Sequence, residues 1–259
     1  MVQPMPFIRL AAAAALIVIL AGCANQQAQQ PGGLPQTVTL RNAQTGATTT
    51  VSGATVAIVL AQREMARRNY AGAVRIMDEA IRSNRLAGND LSAAHAMRGD
   101  AYFLGGSAAR ARDDWRTAAE MNPQNALALR GMAIISNMQR KFPKAMQYMA
   151  RAIAASPDNP HLYITRGVLR LEERRTVPQA LADFDKAVSI KPDLASAYFY
   201  RGLAHHLSGR LAQAKSDYDR ALEINPGERR ARQALALLER RGAPGTLQPR
   251  SRANEIVQF

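Results

Sequence analysis

The chain has very few of the residues on which disulfides and metal sites depend. Its 259 residues include one cysteine and four histidines. A single cysteine cannot form a disulfide within a monomer. Two of the histidines, His205 and His206, are adjacent, and neighbouring side chains on a helix point about 100° apart, so the pair cannot chelate one ion from one face. We expect neither a metal site nor a cofactor.

Arrangements typical of catalysis are missing as well. The paired acids Asp113–Asp114 and Glu172–Glu173 are neighbours in the chain rather than a facing dyad. There is no glycine-rich phosphate loop, and no serine, histidine and aspartate can be placed together as a triad. The sequence therefore predicts a protein that is not an enzyme.

Alanine, leucine and arginine are abundant instead. Hydrophobic residues make up 47% of the chain, which excludes a wholly disordered protein, and the composition favours helix. Basic residues outnumber acidic ones by 34 to 20. Seven arginines lie in the segment 227–252, namely Arg229, Arg230, Arg232, Arg240, Arg241, Arg250 and Arg252. A solvated helix face is the simpler explanation of this cluster, and attraction to an anionic lipid surface or an acidic cell-wall polymer is the alternative.

The first 22 residues are predicted to be a signal peptide. Residues 10–22 are apolar and uncharged, and thirteen helical residues span about 20 Å, whereas a membrane span needs about 20 residues. The segment ends in LAGC, which resembles the lipobox of bacterial lipoproteins. The resemblance implies that Cys23 is acylated, for example with palmitate, and moors the protein to a membrane. Ala24 then favours the outer membrane, facing the periplasm, where nucleic acid is not an expected partner.

The segments that flank the central part of the chain are predicted to be flexible. Residues 23–53 are rich in glutamine, proline, glycine and threonine, which is typical of a tether. Within them, TVTL (37–40) and TTTV (48–51) could pair as a small hairpin. Residues 243–259 are predicted to be a disordered basic tail.

A period of 34 residues organises the chain from 54 to 228. The five units are 54–91, 92–125, 126–159, 160–194 and 195–228. Position 20 is alanine in every unit, position 8 is glycine or alanine, and small residues at these places let two helices approach closely. Position 32 is proline in the last four units and ends a helix. Four extra residues near LAGNDL and one in ERRTVP are expected to lie in turns between helices.

This pattern resembles the tetratricopeptide repeat family. The resemblance implies an all-α fold, an α-solenoid of five tetratricopeptide helix hairpins with a concave groove. The helical spacing of the apolar residues in 229–242 predicts a C-terminal capping helix.

Arginine at position 7 and aspartate at position 23 occur together in three of the five units. The pairs are Arg98 with Asp114, Arg166 with Asp183, and Arg201 with Asp217. The remaining two units have apolar or aromatic residues at both positions. We therefore predict a half-buried ion pair that joins the two helices of one unit. The alternative is that these arginines line the groove and hold an acidic ligand.

Positions 2, 5, 9 and 12 of each first helix line the groove in the family that the chain resembles. Carried onto this chain, they place in the groove Asp100, Phe103, Arg130, Asn137, His161, Ile164, Phe199 and His206, together with Ala96, Ile134, Leu171 and Leu203. This mixture of apolar and polar groups suits an extended peptide or a partner helix. The lysine and asparagine clamp that some family members use for an acidic C-terminus is not evident.

Three functions compete at this point. The stretches AIRSNRLAGNDLSAAHAMRGDAYFLGG and ARARDDWRTAAEMNP resemble the NlpI type of repeat lipoprotein, which implies a scaffold that brings peptidoglycan hydrolases to a protease. The PilF and TadD pilus lipoproteins share a lipobox and repeats, which implies assembly of a type IV or Flp pilus or a secretion pore. A cell-wall-active enzyme is disfavoured because no catalytic cluster is found.

Overall fold

A computed structural model describes residues 37–41, 48–173 and 177–242 of the chain. The predicted signal peptide (1–22), the acylation site Cys23 and the predicted tail (243–259) lie outside the described residues. Most of the predicted tether lies outside them too.

The described residues form eleven helices and one pair of short strands. β1 (Thr37–Arg41) pairs antiparallel with β2 (Thr48–Ser52), in the two segments for which the sequence suggested a hairpin. The helices are α1 (Gly53–Ala66), α2 (Tyr70–Arg82), α3 (Gly88–Leu104), α4 (Ala108–Met121), α5 (Ala126–Met138), α6 (Phe142–Ala155), α7 (Pro160–Glu172), α8 (Val177–Ile190), α9 (Ala195–Leu207), α10 (Leu211–Ile224) and α11 (Arg229–Gly242). The predicted all-α fold of helix hairpins is confirmed. The segment predicted to cap the repeats is α11.

The structure corrects one expectation about the repeat boundaries. The four extra residues near LAGNDL do not lie in a turn. Helix α3 has 17 residues, whereas α5, α7 and α9 have 13 each. Four residues are close to one helical turn of 3.6, so the insertion adds a turn to the start of α3.

The chain divides into two compact units, residues 1–131 and 132–259. In the first unit the core consists mostly of alanine, with a few large side chains between the alanines. Trp115 is the largest of these and is fully buried. It fits because of the glycines beside it: a Cβ at Gly99 would lie 2.7 Å from Cδ1 of Trp115, and a Cβ at Gly131 would overlap the indole ring. The small residues of the sequence pattern therefore make room for one large ring.

The second unit repeats this arrangement with other large residues. Phe184 and Tyr218 are fully buried at the place in their repeats that Trp115 has in its own. A Cβ at Gly202 would lie 2.8 Å from Cε1 of Tyr218. Helix α11 buries Ala231 and Ala234 in the same cluster as Tyr218, so its apolar stripe covers the last hairpin.

The turns inside the hairpins share one backbone feature. Position 15 has a positive φ at Arg68 (61°), Gly106 (83°), Arg140 (61°) and Gly209 (74°). Glycine adopts this conformation without strain. For an L-residue with a side chain the left-handed region costs about 1–2 kcal/mol. The two arginines are therefore retained against a local backbone preference.

Candidate partner-binding site

The structure brings together all three arginine–aspartate pairs that the repeat pattern suggested. In the first compact unit (1–131), Arg98 Nε of the second repeat donates to Asp114 Oδ2 at 2.8 Å, and its Nη2 donates to Oδ1 at 2.6 Å. In the second unit, Arg201 reaches both oxygens of Asp217, at 3.0 and 2.7 Å. These contacts have the bidentate geometry that makes arginine–carboxylate pairs strong.

The third pair has a different set of partners. Arg166 Nε lies 3.1 Å from each oxygen of Asp183, and Arg170 Nη1 donates to Oδ2 of the same carboxylate at 2.7 Å. The Asp183 side chain is 3% exposed, which is the lowest value among the three aspartates. Two guanidinium groups thus compensate for the burial of one carboxylate.

Sequence reasoning missed a second carboxylate at the other two arginines. Arg98 Nη1 donates to Asp78 Oδ1 at 2.7 Å, and Arg201 Nη1 donates to Asp185 Oδ1 at 2.9 Å. Both aspartates occupy position 25 of the preceding repeat. The corresponding residue before Arg166 is Ala150, which cannot accept. The sequence contained a signal for these contacts, because position 25 is aspartate in the repeats that precede two of the three arginine-bearing repeats.

Two of the ionisable groups in these networks have pKa values below their ordinary range. Burial raises the pKa of Asp114, but the hydrogen bonds from Arg98 and His95 outweigh it, so the pKa is lowered overall. Burial lowers the pKa of His205, and the charges of Arg210 and Arg201 act in the same direction against the attraction of Asp217. The carboxylate form of Asp114 and the neutral form of His205 are therefore favoured in the folded protein.

Each of the three arginines also lies over a tyrosine ring. The guanidinium carbon is 6.0 Å from the ring centre at Arg98 and Tyr102, and 5.3 Å at Arg201 and Tyr198. The third contact joins Arg166 and Tyr163 at 5.6 Å. The cations are thus held by rings of their own repeat and by carboxylates of their own and, for Arg98 and Arg201, the preceding repeat. We assign them a structural role rather than the alternative of groove residues that hold an acidic ligand.

Two of the predicted groove residues bind each other. Arg130 Nη2 donates to Asp100, which also accepts from Trp115 Nε1 at 3.0 Å. Phe103 packs on the same tryptophan, with ring centres 5.5 Å apart. The network connects consecutive repeats of the first unit, so the charges of Asp100 and Arg130 already compensate each other.

A similar contact occurs in the second unit. Asn137 donates to Glu172 Oε2, and the two residues lie at positions 12 and 13 of consecutive repeats. His161, the first residue after the proline that begins α7, is exposed, and Ile134 is half-buried. The predicted groove residues of this unit thus differ in their exposure.

Six predicted groove residues are buried, which corrects the prediction. Ile164 is 7% exposed, Phe199 is 3% exposed and His206 is 9% exposed. Phe199 lies under the guanidinium of Arg230, at 4.9 Å, and His206 packs edge-on against the ring of Tyr218. Ala96, Leu171 and Leu203 are buried too. The capping helix and the neighbouring hairpins cover positions that an isolated hairpin would expose.

The structure exposes a different set of large apolar side chains. Leu104 is 52% exposed, Met138 is 57% exposed and Leu207 is 37% exposed. All three occupy position 13, the last residue of a first helix. Their common position was readable in the repeat frame, but only their exposure indicates a contact surface, because a burial pattern cannot be inferred from residue type alone.

Some features are missing from the part of the chain that the structure describes. Within residues 37–41, 48–173 and 177–242, no group of three histidine, cysteine, aspartate or glutamate side chains could hold a metal ion. None of the described helices is long and apolar enough to cross a membrane.

Family models and known proteins support the repeat assignment. Models of the tetratricopeptide repeat match residues 97–160 and 195–228. The Hsp70-Hsp90 organizing protein of Triticum aestivum is 33% identical over 120 residues, which are 46% of this chain and 20% of that protein. Protein O-mannosyl-transferase TMTC1 of Mus musculus is 29% identical over 113 residues, 42% of this chain and 12% of that protein. The chain thus spans a fifth or less of the length of these relatives.

Solved structures agree on the fold. TTC0263, described as a thermophilic TPR protein in Thermus thermophilus, superposes with a TM-score of 0.62 at 17% identity, over 72% of this chain and 98% of that chain. A chain of the APC/C hetero-tetramer Cut9-Hcn1 gives a TM-score of 0.60 at 12% identity, over 71% of this chain and 36% of that chain. At such identities the likeness concerns the fold alone. Together with the matched repeat models, it shows that the chain carries tetratricopeptide repeats.

Proposed function

We propose that the protein is a non-catalytic scaffold that binds protein partners through the first helices of its repeats. The observation that carries this proposal is the exposure of Met138 and Leu207 at one repeat position of the second compact unit, and of Leu104 at the same repeat position in the first compact unit. Leaving a large apolar side chain in water forgoes about 1.5–3 kcal/mol of burial, so such side chains at one recurring position favour a contact surface.

The surroundings of these side chains favour a peptide or a helix as the partner. In the first unit, Leu104 follows Phe103 in the chain, and the internally compensated pair of Asp100 and Arg130 lies on the same helix pair. In this unit a partner would then be held by apolar anchors, with little net charge to compensate. Apolar anchors spaced along an extended or helical segment are a common mode of peptide recognition.

The proposal includes a location. Acylation of Cys23 would tether the repeats to the outer membrane of a bacterium, on the periplasmic side. The LAGC sequence and the apolar segment before it support this. The partners would then be envelope proteins, and the resemblance of the stretches 80–106 and 109–123 to the NlpI type favours peptidoglycan hydrolases or a protease. The wheat relative is named as an organizer of two other proteins, Hsp70 and Hsp90, which agrees with an assembly role.

The partner surface is tested by capture from detergent-solubilised envelopes with the full-length chain. We expect Met138→Glu with Leu207→Glu, both in the second compact unit, to lose the captured hydrolases or protease while the helical content by circular dichroism is retained. Leu237→Glu in α11, where the side chain is also 42% exposed, is the matched control and should keep them. Equal capture by all three proteins would refute the surface. Pilus or secretin proteins among the captured partners would favour the pilus-assembly alternative.

The anchor is tested separately. We expect wild-type protein to incorporate labelled palmitate and to sediment with membranes, and Cys23→Ser to do neither. Soluble Cys23→Ser protein that still captures partners would show that scaffold and anchor are independent. Unlabelled wild-type protein would refute the location.

A further inference from the structure

Helix α6 is the second helix of the third repeat, and it differs in charge from the second helices of other repeats. The stretch from residue 121 to 157, which contains α6, has arginines and lysines but no aspartate or glutamate. In α4, by contrast, Arg112 lies 3.2 Å from Asp113, and in α10 Lys215 lies 2.8 Å from Asp219. These cations of α4 and α10 are thus paired with carboxylates of their own helix. Helix α6 contains no aspartate or glutamate.

The cations of α6 follow one face of the helix. Ala145, Met149 and Ala152 are buried, so they define the inward side. Lys144 and Arg151 are exposed, and so is Lys141, which caps the helix. The spacing of Lys141, Lys144, Tyr148 and Arg151 is three, four and three residues, which aligns side chains in a row about 15 Å long. We call this row the α6 stripe.

A tyrosine lies in the middle of the α6 stripe. Lys144 Nζ is 5.9 Å and the Arg151 guanidinium carbon is 6.0 Å from the centre of the Tyr148 ring. Tyr148 occupies position 23, which is the buried aspartate in the three repeats with an ion pair, and Met132 takes the place of the arginine. The third repeat therefore lacks the internal ion pair. In its place, the Tyr148 ring lies between two cations.

We propose that the α6 stripe is a second interaction surface, which binds an acidic segment of a protein partner. A row of cations on one helix matches carboxylates spaced along an extended or helical chain. The surface lies on a second helix of a repeat, so it is distinct from the first-helix surface proposed above and can be lost independently of it.

The charges on α8 and α10, the second helices of the fourth and fifth repeats, favour a single acidic chain over a flat anionic surface as the partner. In the same unit, α8 and α10 carry carboxylates that are well exposed: Asp185 is 62%, Asp219 is 41% and Glu223 is 64% exposed at the side chain. Each of these carboxylates pairs with a cation, so a broad layer of anionic lipid would gain no net attraction over α8 and α10. A single acidic chain can follow the α6 stripe and avoid them.

The test uses the full-length chain and a fluorescein-labelled peptide of about twenty glutamates as the probe, long enough to span the α6 stripe. Lys144→Gln with Arg151→Gln removes two cations of the α6 stripe. Lys215→Gln with Arg220→Gln is the control, because it removes two exposed cations of α10 and changes the net charge by the same amount. Fluorescence anisotropy at low salt gives the dissociation constants, and circular dichroism checks that both variants are folded.

We expect the α6 variant to bind about 10-fold more weakly and the control less than about 2-fold more weakly, because only the α6 cations lie in a row free of carboxylates from their own helix. Added salt should abolish the difference. Equal weakening in the two variants would show that only net charge matters and would overturn the proposal. Binding to phosphatidylglycerol vesicles that is lost in the α6 variant while peptide binding is unchanged would overturn it as well, in favour of a lipid surface.

Discussion

The pair formed by Arg98 and Asp114 allows the clearest test of how the hairpins are held together. Its carboxylate is almost completely buried, and it accepts from Arg98 and contacts His95 Nδ1 at 3.0 Å. Replacing Asp114 with alanine leaves a guanidinium whose side chain is only 20% exposed. Removing one partner of a buried pair costs about 3–5 kcal/mol. Because Asp78 still binds Arg98, we expect the lower end, about 3 kcal/mol.

The coupling between the two residues is measured by a double-mutant cycle. Trp115 is the only tryptophan in the chain and lies beside Asp114, so its fluorescence during urea denaturation follows the first unit. We expect Arg98→Ala, Asp114→Ala and the double variant to lose similar amounts of unfolding free energy, which corresponds to a coupling of about 3 kcal/mol. The exposed pair of Lys215 and Asp219 is the control, for which about 0.5 kcal/mol is expected. Additive losses at Arg98 and Asp114 would refute the reasoning.

Three further predictions concern stability. Arg140→Gly should raise the unfolding free energy by up to about 1 kcal/mol in urea denaturation, because φ is positive there and glycine removes the strain; a loss would show that the side chain contributes more than the strain costs. Gly99→Ala should lower it by about 1–3 kcal/mol, since the new methyl group meets Trp115, and an unchanged midpoint would contradict the packing described here. The lowered pKa of His205 means that its neutral form stabilises the fold above about pH 6.5 and that this contribution is lost as the pH falls through the folded-state pKa, so His205→Gln should be less sensitive than wild type to acidification from about pH 7; parallel pH profiles would exclude the effect.

Corrections to the sequence-based predictions are concentrated where neighbouring elements meet. His206 was placed in the groove although Tyr218, on the second helix of its own hairpin, packs against it. Phe199 was placed there by its position within one hairpin, but Arg230 of α11 covers it. The pairing of Asp100 with Arg130 was missed for the same reason, because the two residues belong to consecutive repeats and lie 30 residues apart in the chain. A frame of 34 residues describes what happens inside a repeat better than what happens between repeats.

The sequence by itself determined the helix hairpins and their internal ion pairs. Small residues at recurring positions favour close helix packing, and an arginine that occurs only together with an aspartate identifies that aspartate as its partner within the repeat. The tertiary structure alone decided which side chains are exposed. Exposure depends on which elements come to lie over a residue, as α11 does over the last hairpin, and a position 13 residue such as Leu104 is left open only because nothing described in its unit packs on it fully.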